Sequence, residues 1–290
     1  MSAPVRIGAP PVAAVLPDGR RRHFQHGPID LVIEAFGAPA EGDTAYRQAW
    51  NRFETILEEL VVELLALRGP VPSTEPTVEG AVARRMHCAC APHREVYVTP
   101  MAAVAGAVAD TVLAAMTAGR TLDKAYVNNG GDIALFLAPG QSLASGIITL
   151  GAEASFDGFS RIDATSPVRG IATSGWRGRS FSLGIADSVT VLARNAAEAD
   201  VAATLIANAV DIEDPVIERE PAMALSPDSD LGQRPVTVAV GKLPPSKIVQ
   251  ALDRGVAAAE AMLQRGLIFD ALIALQGRSR TVGRHCLNAA

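Results

Sequence analysis

The chain has 290 residues, of which 49% are hydrophobic, 20% charged and 4% aromatic. This apolar fraction is typical of a folded globular protein and excludes a disordered chain. The formal net charge of -5 excludes a dedicated nucleic-acid binder, because such a protein needs a surface rich in basic residues. At roughly 150 residues per domain, the length predicts one large domain or two small ones.

The cysteines and the apolar segments predict a cytoplasmic location. Cys88, Cys90 and Cys286 are too few and too unevenly spaced for a secreted disulfide framework. Residues 1–17 contain no sustained apolar segment of the kind found in signal peptides. The longest apolar stretch ends at Asp110 and is shorter than the ~20 residues of a membrane span. We therefore expect no membrane partner.

In the first half of the chain, the pattern predicts a hairpin followed by helices. Residues 22–36 alternate between apolar and polar side chains, which predicts two strands around a His-Gly-Pro turn. Apolar residues at helical spacing predict helices over 44–67 and 77–90. Pro100 and Gly119 flank an Ala- and Gly-rich helix, as the capping preferences of proline and glycine require. Its small side chains let neighbours approach closely, so we expect this helix to be central and buried.

From Lys124 onward the pattern favours strands. Residues 125–137 contain two apolar runs joined by an Asn-Gly step, a strong hairpin signal. The other predicted strands are short: 146–150, 171–173, 180–185, 188–193, 235–241 and 267–275. Residues 196–210 and 245–265 have helical spacing. Because strands and helices do not alternate strictly, we predict an α+β fold with mostly antiparallel strands and packed helices.

The first candidate site is the turn formed by Asn128, Asn129, Gly130, Gly131 and Asp132. Glycines take positive φ angles readily and let a ligand contact backbone N–H groups. Consecutive turn amides of this kind bind phosphate. The alternative is an ordinary type I′ hairpin turn with a solvated Asp132. Both interpretations stay open from these residues alone, although two asparagines and an aspartate exceed what a hairpin needs.

The second candidate site is the strand end at Thr173, Ser174 and Gly175, followed by Arg177 and Arg179. This turn exposes a hydroxyl group and a backbone amide, and the arginines offer planar donor pairs for phosphate. The alternative is a surface hairpin loop. A hydrolase nucleophile elbow is excluded, because alanine replaces the first glycine of the G-x-S-x-G motif.

The third candidate site is the pair Asp200 and Thr204. Residues four apart lie on the same helix face, so the carboxylate and hydroxyl can converge on one point. Both are hard oxygen donors, and Mg²⁺ in proteins is typically held by one or two carboxylates together with substrate phosphates. The alternative is an exposed carboxylate with the threonine at the edge of the helix surface.

A cluster of cysteine and histidine side chains is a weaker candidate for a metal site. The C-x-C spacing does not match the C-x₂₋₄-C spacing of zinc sites. We therefore expect buried thiols at a helix end. The cluster comprises His87, Cys88, Cys90 and His93, and His285 with Cys286 is the remaining pair that could complete it.

Taken together, four segments resemble the ApbE superfamily, the FAD:protein FMN transferases. They are VTPMAAVAGAVAD (98–110), YVNNGGDIAL (126–135), GIATSGWRGRSFSLGIADSVTVLA (170–193) and AAEADVAATLIANAV (196–210). The resemblance covers residues 20–275 in the same order and is greatest to a divergent bacterial and archaeal branch. It implies a single domain over 1–290 with a T-fold-like α+β architecture, in which residues 1–20 and 279–290 are peripheral.

The resemblance also implies a site and its cofactors. The Asn129–Asp132 block would line a cleft for FAD or FMN, and the Thr173–Gly175 block would face it. Asp200 and Thr204 would hold Mg²⁺ at the diphosphate. The expected partner is thus a small, nucleotide-like molecule, and the Ala-rich helix over 101–118 leaves a homo-oligomer open.

Two departures from the transferases bear on the expected activity. Their His-Ile-x-Asp-Pro-x-x-Gly segment is replaced here by 176–188, which contains no histidine although Asp187 is present. Their Lys-Gly pair is replaced by Ala105 and Gly106. We therefore expect binding of a flavin or related nucleotide with Mg²⁺ and leave FMN transfer open. The alternatives are a non-catalytic binding protein, or an enzyme or accessory protein of sulfur assimilation and homocysteine formation, with which the branch has been associated.

Overall fold

A computed structural model describes residues 8–74, 77–150, 154–283 and 287–289, with side chains described outside 145–160 and 287–289. The chain divides into two compact units. Unit 1 comprises 1–142, 163–171 and 195–198, and unit 2 comprises 143–162, 172–194 and 199–290. The expected single domain over 1–290 stays a prediction.

Unit 1 contains an antiparallel sheet in the order β1-β2-β3-β4-β5. Its strands are β1 (Val12–Val15), β2 (Arg22–His26), β3 (Ile29–Gly37), β4 (Leu122–Asn129) and β5 (Asp132–Leu137). Burial alternates along β3, where Leu31 and Ile33 are completely buried. This alternation follows from the two-residue period of a strand with one face in the core.

The helices of unit 1 include one apolar helix that packs against its sheet. They are α1 (Pro39–Phe53), α2 (Ile56–Val62), α3 (Leu64–Leu67), α4 (Ala81–Cys90) and α5 (Val104–Thr117), with 3₁₀ turns at Ala91–His93 and Pro100–Ala103. As predicted, α5 is mostly buried, and it packs against α1, β4 and β5. The stretch Pro100–Thr117 is long and apolar enough to cross a membrane, but most of it is buried in the fold, as in the core helix of a globular protein.

Unit 2 is built from short sheets and two long helices. Its strands are β6 (Ser142–Leu150), β7 (Ala154–Asp163), β8 (Gly170–Ser174), β9 (Ser188–Ala193), β10 (Ile217–Pro221), β11 (Pro235–Val240), β12 (Asp270–Leu275), β13 (Arg278–Gly283) and β14 (Leu287–Ala289). Neighbouring strands follow the orders β8-β9-β12-β13, β10-β11 and β14-β7-β6. The helices are α6 (Ala196–Ala209), α7 (Ala222–Leu225) and α8 (Pro245–Gln264). The first residues of β8 and α6 belong to unit 1.

The structure confirms the α+β class with mostly antiparallel strands, and it corrects two predicted elements. The single helix predicted over 44–67 begins earlier and is divided into α1, α2 and α3. One break lies at Glu63, between α2 and α3. The Glu63 carboxylate accepts the backbone N–H groups of Glu79 and Gly80.

The strand predicted over 180–185 is wrong, because this segment is an ordered loop. Its backbone bonds to α6 and the residue after it, and the Ser182 carbonyl accepts the Thr237 N–H of β11 at 2.9 Å without a continuous strand ladder. Leu183 N–H donates to the Asn208 side chain, and Ile185 N–H donates to the Val210 carbonyl. A Cβ atom at Gly184 would lie 2.1 Å from the Ala207 carbonyl oxygen, so glycine is required for this close approach.

Candidate functional site

The hairpin turn of unit 1 has the geometry predicted from its sequence. Asn129 and Asp132 pair across the end of β4 and β5, which leaves Gly130 and Gly131 as the turn residues. Their φ angles are 64° and 117°, so both lie in the region that favours glycine. A type I′ turn requires positive φ at both central positions. Apart from its chain neighbours, no atom of the described residues lies within 4 Å of a Cβ placed on Gly131, so the φ angle and not crowding favours glycine there.

The side chains of this turn are partly used by the fold itself. Asn128 Oδ1 accepts the Gly131 N–H at 2.9 Å, and Asn129 Nδ2 donates to the Ala105 carbonyl at 3.1 Å. Asn129 and Asp132 are both buried. The Gly131 amide is therefore already bonded inside the turn, while Asn129 ties the turn to α5.

The second candidate segment lies at the end of β8, in unit 2. Thr173 is exposed, with its hydroxyl oxygen 2.9 Å from that of Thr190 on β9, and Ser174 is half-buried. A Cβ atom at Gly175 would lie 2.4 Å from the Asp187 carbonyl oxygen. Glycine at this position therefore lets the chain turn closely against the segment that leads into β9.

Asp187 organises the two residues that follow Gly175. Its Oδ1 lies 3.3 Å from both Trp176 Nε1 and Arg177 Nε, and its Oδ2 accepts the Gln276 N–H at 2.5 Å. The Arg177 guanidinium also stacks over the Trp176 ring, 4.4 Å from its centre. The side chain of the predicted phosphate donor Arg177 is thus held by an ion pair and a cation–π contact.

The third candidate segment is a polar stripe on α6. Asp200 and Thr204 are half-buried, whereas 201–203 and 205–207 are buried. Asn208 continues the same face one turn later, and its Oδ1 accepts the Leu183 N–H at 2.9 Å. We refer to Asp200, Thr204 and Asn208 as the α6 stripe. Their spacing of four residues places them on one side of the helix, as predicted.

The start of α6 is fixed within unit 1 by Asp110, a contact that the sequence pattern does not indicate. Asp110 is 8% exposed, and its two carboxylate oxygens accept the N–H groups of Ala196 and Ala197, each at 3.0 Å. Burial raises the pKa of this carboxyl group, while the two amides and Arg85 oppose the shift. An acidic group that binds free N–H groups at a helix N-terminus stabilises the helix.

Two more contacts support the same helix start. Asn195 Oδ1 accepts the Glu198 N–H at 2.8 Å, and Asn195 Nδ2 donates to the Glu198 carboxylate at 2.9 Å. A Cβ atom at Gly106 would lie 2.2 Å from the Ala196 carbonyl oxygen. The glycine that stands in the transferases' Lys-Gly position therefore permits the close approach of α5 to this turn.

These observations place the predicted residues in two groups. The Asn128–Asp132 turn lies in unit 1, while Thr173–Arg177 and the pair Asp200 and Thr204 lie in unit 2. Their convergence on one cavity stays a prediction. In the described part of the chain, no three His, Cys, Asp or Glu side chains gather at a metal-sized site. Mg²⁺ at Asp200 and Thr204 would thus take its other ligands from phosphate oxygens and water.

The cysteine and histidine cluster has no metal-site geometry among the described residues. Cys90 is buried as expected, with its thiol 3.5 Å from the Thr99 carbonyl oxygen, whereas Cys88 is exposed. His87 and His93 are buried. The pair His285 and Cys286 lies outside the described residues.

Fold and turn geometry together define a mixed α+β protein whose sheets are mostly antiparallel. The model of the family described as AbpE bacteria matches residues 13–281. The chain belongs to this family.

The curated relatives are archaeal. A UPF0280 protein of Methanothrix thermoacetophila is 39% identical over 142 residues, which cover 49% of this chain and 55% of the relative. A UPF0280 protein of Methanothermobacter thermautotrophicus is 36% identical over 181 residues, which cover 59% and 65%. The chain thus matches less than two thirds of the length of either relative.

Solved structures of flavin transferases are similar over most of the chain. The apo form of the Pseudomonas stutzeri flavinyl transferase ApbE has a TM-score of 0.44 and 13% identity, covering 91% of this chain and 92% of that one. The flavin transferase ApbE from Vibrio cholerae has a TM-score of 0.40 and 14% identity, covering 94% and 97%.

Proposed function

We propose that this protein binds a flavin or a related nucleotide diphosphate together with Mg²⁺. The observation that carries the proposal is the α6 stripe. On a helix whose other central residues are buried, Asp200 and Thr204 keep partial access to solvent. A carboxylate and a hydroxyl one helical turn apart supply two of the hard oxygen ligands that Mg²⁺ prefers, and diphosphate oxygens supply others.

The other candidate segments suit the remaining parts of a nucleotide. Thr173 and Ser174 offer hydroxyl groups at the end of β8, and Arg177 offers a guanidinium group held in place by Asp187. Planar guanidinium donors bind phosphate oxygens in pairs. Membership of the AbpE bacteria family and the motif resemblance to FAD:protein FMN transferases favour a flavin as the nucleotide.

The proposal covers binding and leaves FMN transfer as a separate question. Residues 176–188 replace the histidine-containing segment of the transferases. Here 176–187 form an ordered loop before β9, and this loop contains the contacts of Asp187 with Trp176 and Arg177. A binding protein that kept the fold without transfer chemistry is consistent with this replacement. The alternative role in sulfur assimilation stays a prediction.

Titration of the full chain with FAD and FMN tests the proposal, with and without Mg²⁺, followed by flavin fluorescence and calorimetry. We expect saturable binding that Mg²⁺ strengthens, and we expect Asp200→Asn and Thr204→Val to remove the Mg²⁺ effect. Asp253→Asn is the matched control, because Asp253 is exposed on α8. Binding of neither flavin, or an unchanged Mg²⁺ effect in Asp200→Asn, would contradict the proposal.

Mass spectrometry of a co-expressed acceptor protein addresses transfer separately. An FMN adduct on the acceptor would show that the chain is a transferase. Its absence, combined with saturable flavin binding, would support the binding protein.

A further inference from the structure

The turn between β12 and β13 contains an unusual backbone conformation. Leu275 pairs with Arg278, so Gln276 and Gly277 are the two turn residues. Their φ angles are 43° and 76°, and in the part of the chain that the structure describes Gln276 is the only residue other than glycine with a positive φ. A type I′ turn requires positive φ at both central positions, which asparagine and glycine adopt most readily. The turn between β4 and β5 accordingly has two glycines, whereas the β12–β13 turn has a strained glutamine.

The side chain of Gln276 forms bonds that asparagine or glycine would not form. Its Oε1 accepts the Leu243 N–H at 3.0 Å, and its Nε2 donates to the Gly241 carbonyl at 2.7 Å. Both partners lie in the segment between β11 and α8. An asparagine side chain is one methylene shorter, and glycine has no side chain. A strained residue persists only where its surroundings hold it, and such residues gather at functional sites.

The backbone of Gln276 contacts Asp187. The Gln276 N–H donates to Asp187 Oδ2 at 2.5 Å, and the Asp187 N–H donates to the Ala274 carbonyl at 2.9 Å. The main chain of Asp187 is thus fixed to β12, and the direction of its carboxylate depends on the bonds of the side chain. That side chain is 11% exposed, and buried polar groups are normally hydrogen-bonded. Gln276 satisfies Oδ2 and leaves Oδ1 for other donors.

The other oxygen of Asp187 holds the proposed phosphate donor. Oδ1 lies 3.3 Å from both Trp176 Nε1 and Arg177 Nε. The Arg177 side chain is 36% exposed, and its two Nη groups have no hydrogen-bond partner among the described residues. Because Nε is bound by Asp187, the pair of Nη groups stays available for two oxygens of one phosphate.

We propose that Gln276 is a positioning residue for Arg177 and acts through Asp187. The side-chain amide of Gln276 fixes the turn to the segment before α8. The turn then places its backbone N–H on Oδ2 of Asp187, and the carboxylate presents Oδ1 to Arg177. The importance of this arrangement for a ligand rests on the proposed nucleotide function.

Two substitutions of Gln276 test this role in ligand binding. Gln276→Asn favours the positive φ angle but loses the two amide bonds, while Gln276→Met keeps the length and the strain and also loses both bonds. With Mg²⁺ present, both variants should bind FAD and inorganic pyrophosphate about three- to tenfold more weakly than the wild type. Gln264→Asn is the matched control, because Gln264 is exposed on α8, and its affinities should equal those of the wild type.

The indole Nε1–H signal of Trp176 in NMR spectra reports the position of Asp187 without a ligand. Trp176→Phe assigns this signal, since Trp50 is the only other tryptophan. In both Gln276 variants the signal should move, and trypsin should cleave after Arg177 faster than in the wild type. In Gln264→Asn the signal and the cleavage rate should not change.

The two measurements separate this inference from the proposed function. If the wild type binds neither FAD nor pyrophosphate but the Trp176 signal moves in both Gln276 variants, the nucleotide function fails and the positioning of Arg177 is supported. An unmoved Trp176 signal in both variants overturns the proposal. Wild-type affinity in both variants, where the wild type binds these ligands, overturns it as well.

Discussion

The carboxylate of Asp110 accepts the N–H of Ala196 at 3.0 Å and thereby fixes the first turn of α6 to α5. The same carboxylate also accepts the next N–H along the helix, at 3.0 Å. Asp110 therefore caps the N-terminal end of the helix that also carries Asp200 and Thr204, although it lies far from that helix in sequence.

Loss of this cap should destabilise the protein. In Asp110→Ala, two buried N–H groups at the start of α6 lose their acceptor, which should lower the free energy of unfolding by about 1–3 kcal/mol. Urea unfolding followed by circular dichroism measures the change. Asp123→Ala, at an exposed position of β4, serves as the control and should stay within about 0.5 kcal/mol of the wild type. Equal losses in both variants would remove the special role of Asp110.

A side chain at Gly106 should also destabilise the protein. Its Cβ atom in Gly106→Ala would lie 2.2 Å from the Ala196 carbonyl oxygen, so α5 and the start of α6 must separate. Such overpacking costs about 1–3 kcal/mol, measurable as a lower midpoint of thermal or urea unfolding. The matched variant is Gly42→Ala, because Gly42 lies in α1 and, in the part of the chain that the structure describes, no packed neighbour comes within 4 Å of a Cβ there. We expect that substitution to leave stability unchanged or raise it by up to about 1 kcal/mol.

The sequence predicts features that depend on neighbouring residues, and it does not predict those that depend on residues far apart in the chain. The hairpin at Gly130 and Gly131 and the central helix α5 were predicted because their turn, capping and periodicity signals are local. The loop over 180–185 and the cap at Asp110 were missed because their partners are distant. Asp110 lies 86 residues before Ala196. A sequence pattern alone does not identify the partner across such a separation.

The same difference between local signals and distant contacts applies to the candidate site residues. The spacing of Asp200 and Thr204 predicted one helix face, and the structure places both on the half-buried side of α6. The sequence did not reveal that Asn128 uses the Gly131 amide or that Asp187 holds Arg177. Both depend on side-chain hydrogen bonds, which composition and periodicity do not specify.

Tyr126 should ionise only at high pH. Burial, together with the nearby Glu34 carboxylate that accepts its hydroxyl hydrogen bond, raises the Tyr126 pKa to about 12. An unfolded tyrosine has a pKa of about 10, so the folded state holds this proton more tightly. Stability from this contact is therefore complete below pH of about 10 and is lost as the pH rises towards 12.

Ultraviolet difference spectroscopy of tyrosinate formation measures this titration. The transition near pH 12 should disappear in Tyr126→Phe. In Glu34→Gln it should move to lower pH, because the negative charge beside the phenol is removed. An unchanged transition in Glu34→Gln would show that Glu34 does not contribute to the shift.

Asp187 should control the order of the loop that contains Arg177. In Asp187→Ala, the Trp176 indole, the Arg177 guanidinium and the Gln276 backbone N–H all lose their acceptor. We expect faster tryptic cleavage after Arg177, since cleavage requires the loop to leave its folded conformation. Peptide mass mapping over time measures the rate, with Asp253→Ala on α8 as the control. Because Arg177 is proposed to bind phosphate, Asp187→Ala should also weaken flavin binding. Faster cleavage with unchanged flavin affinity would separate loop order from ligand binding and remove Arg177 from the proposed site.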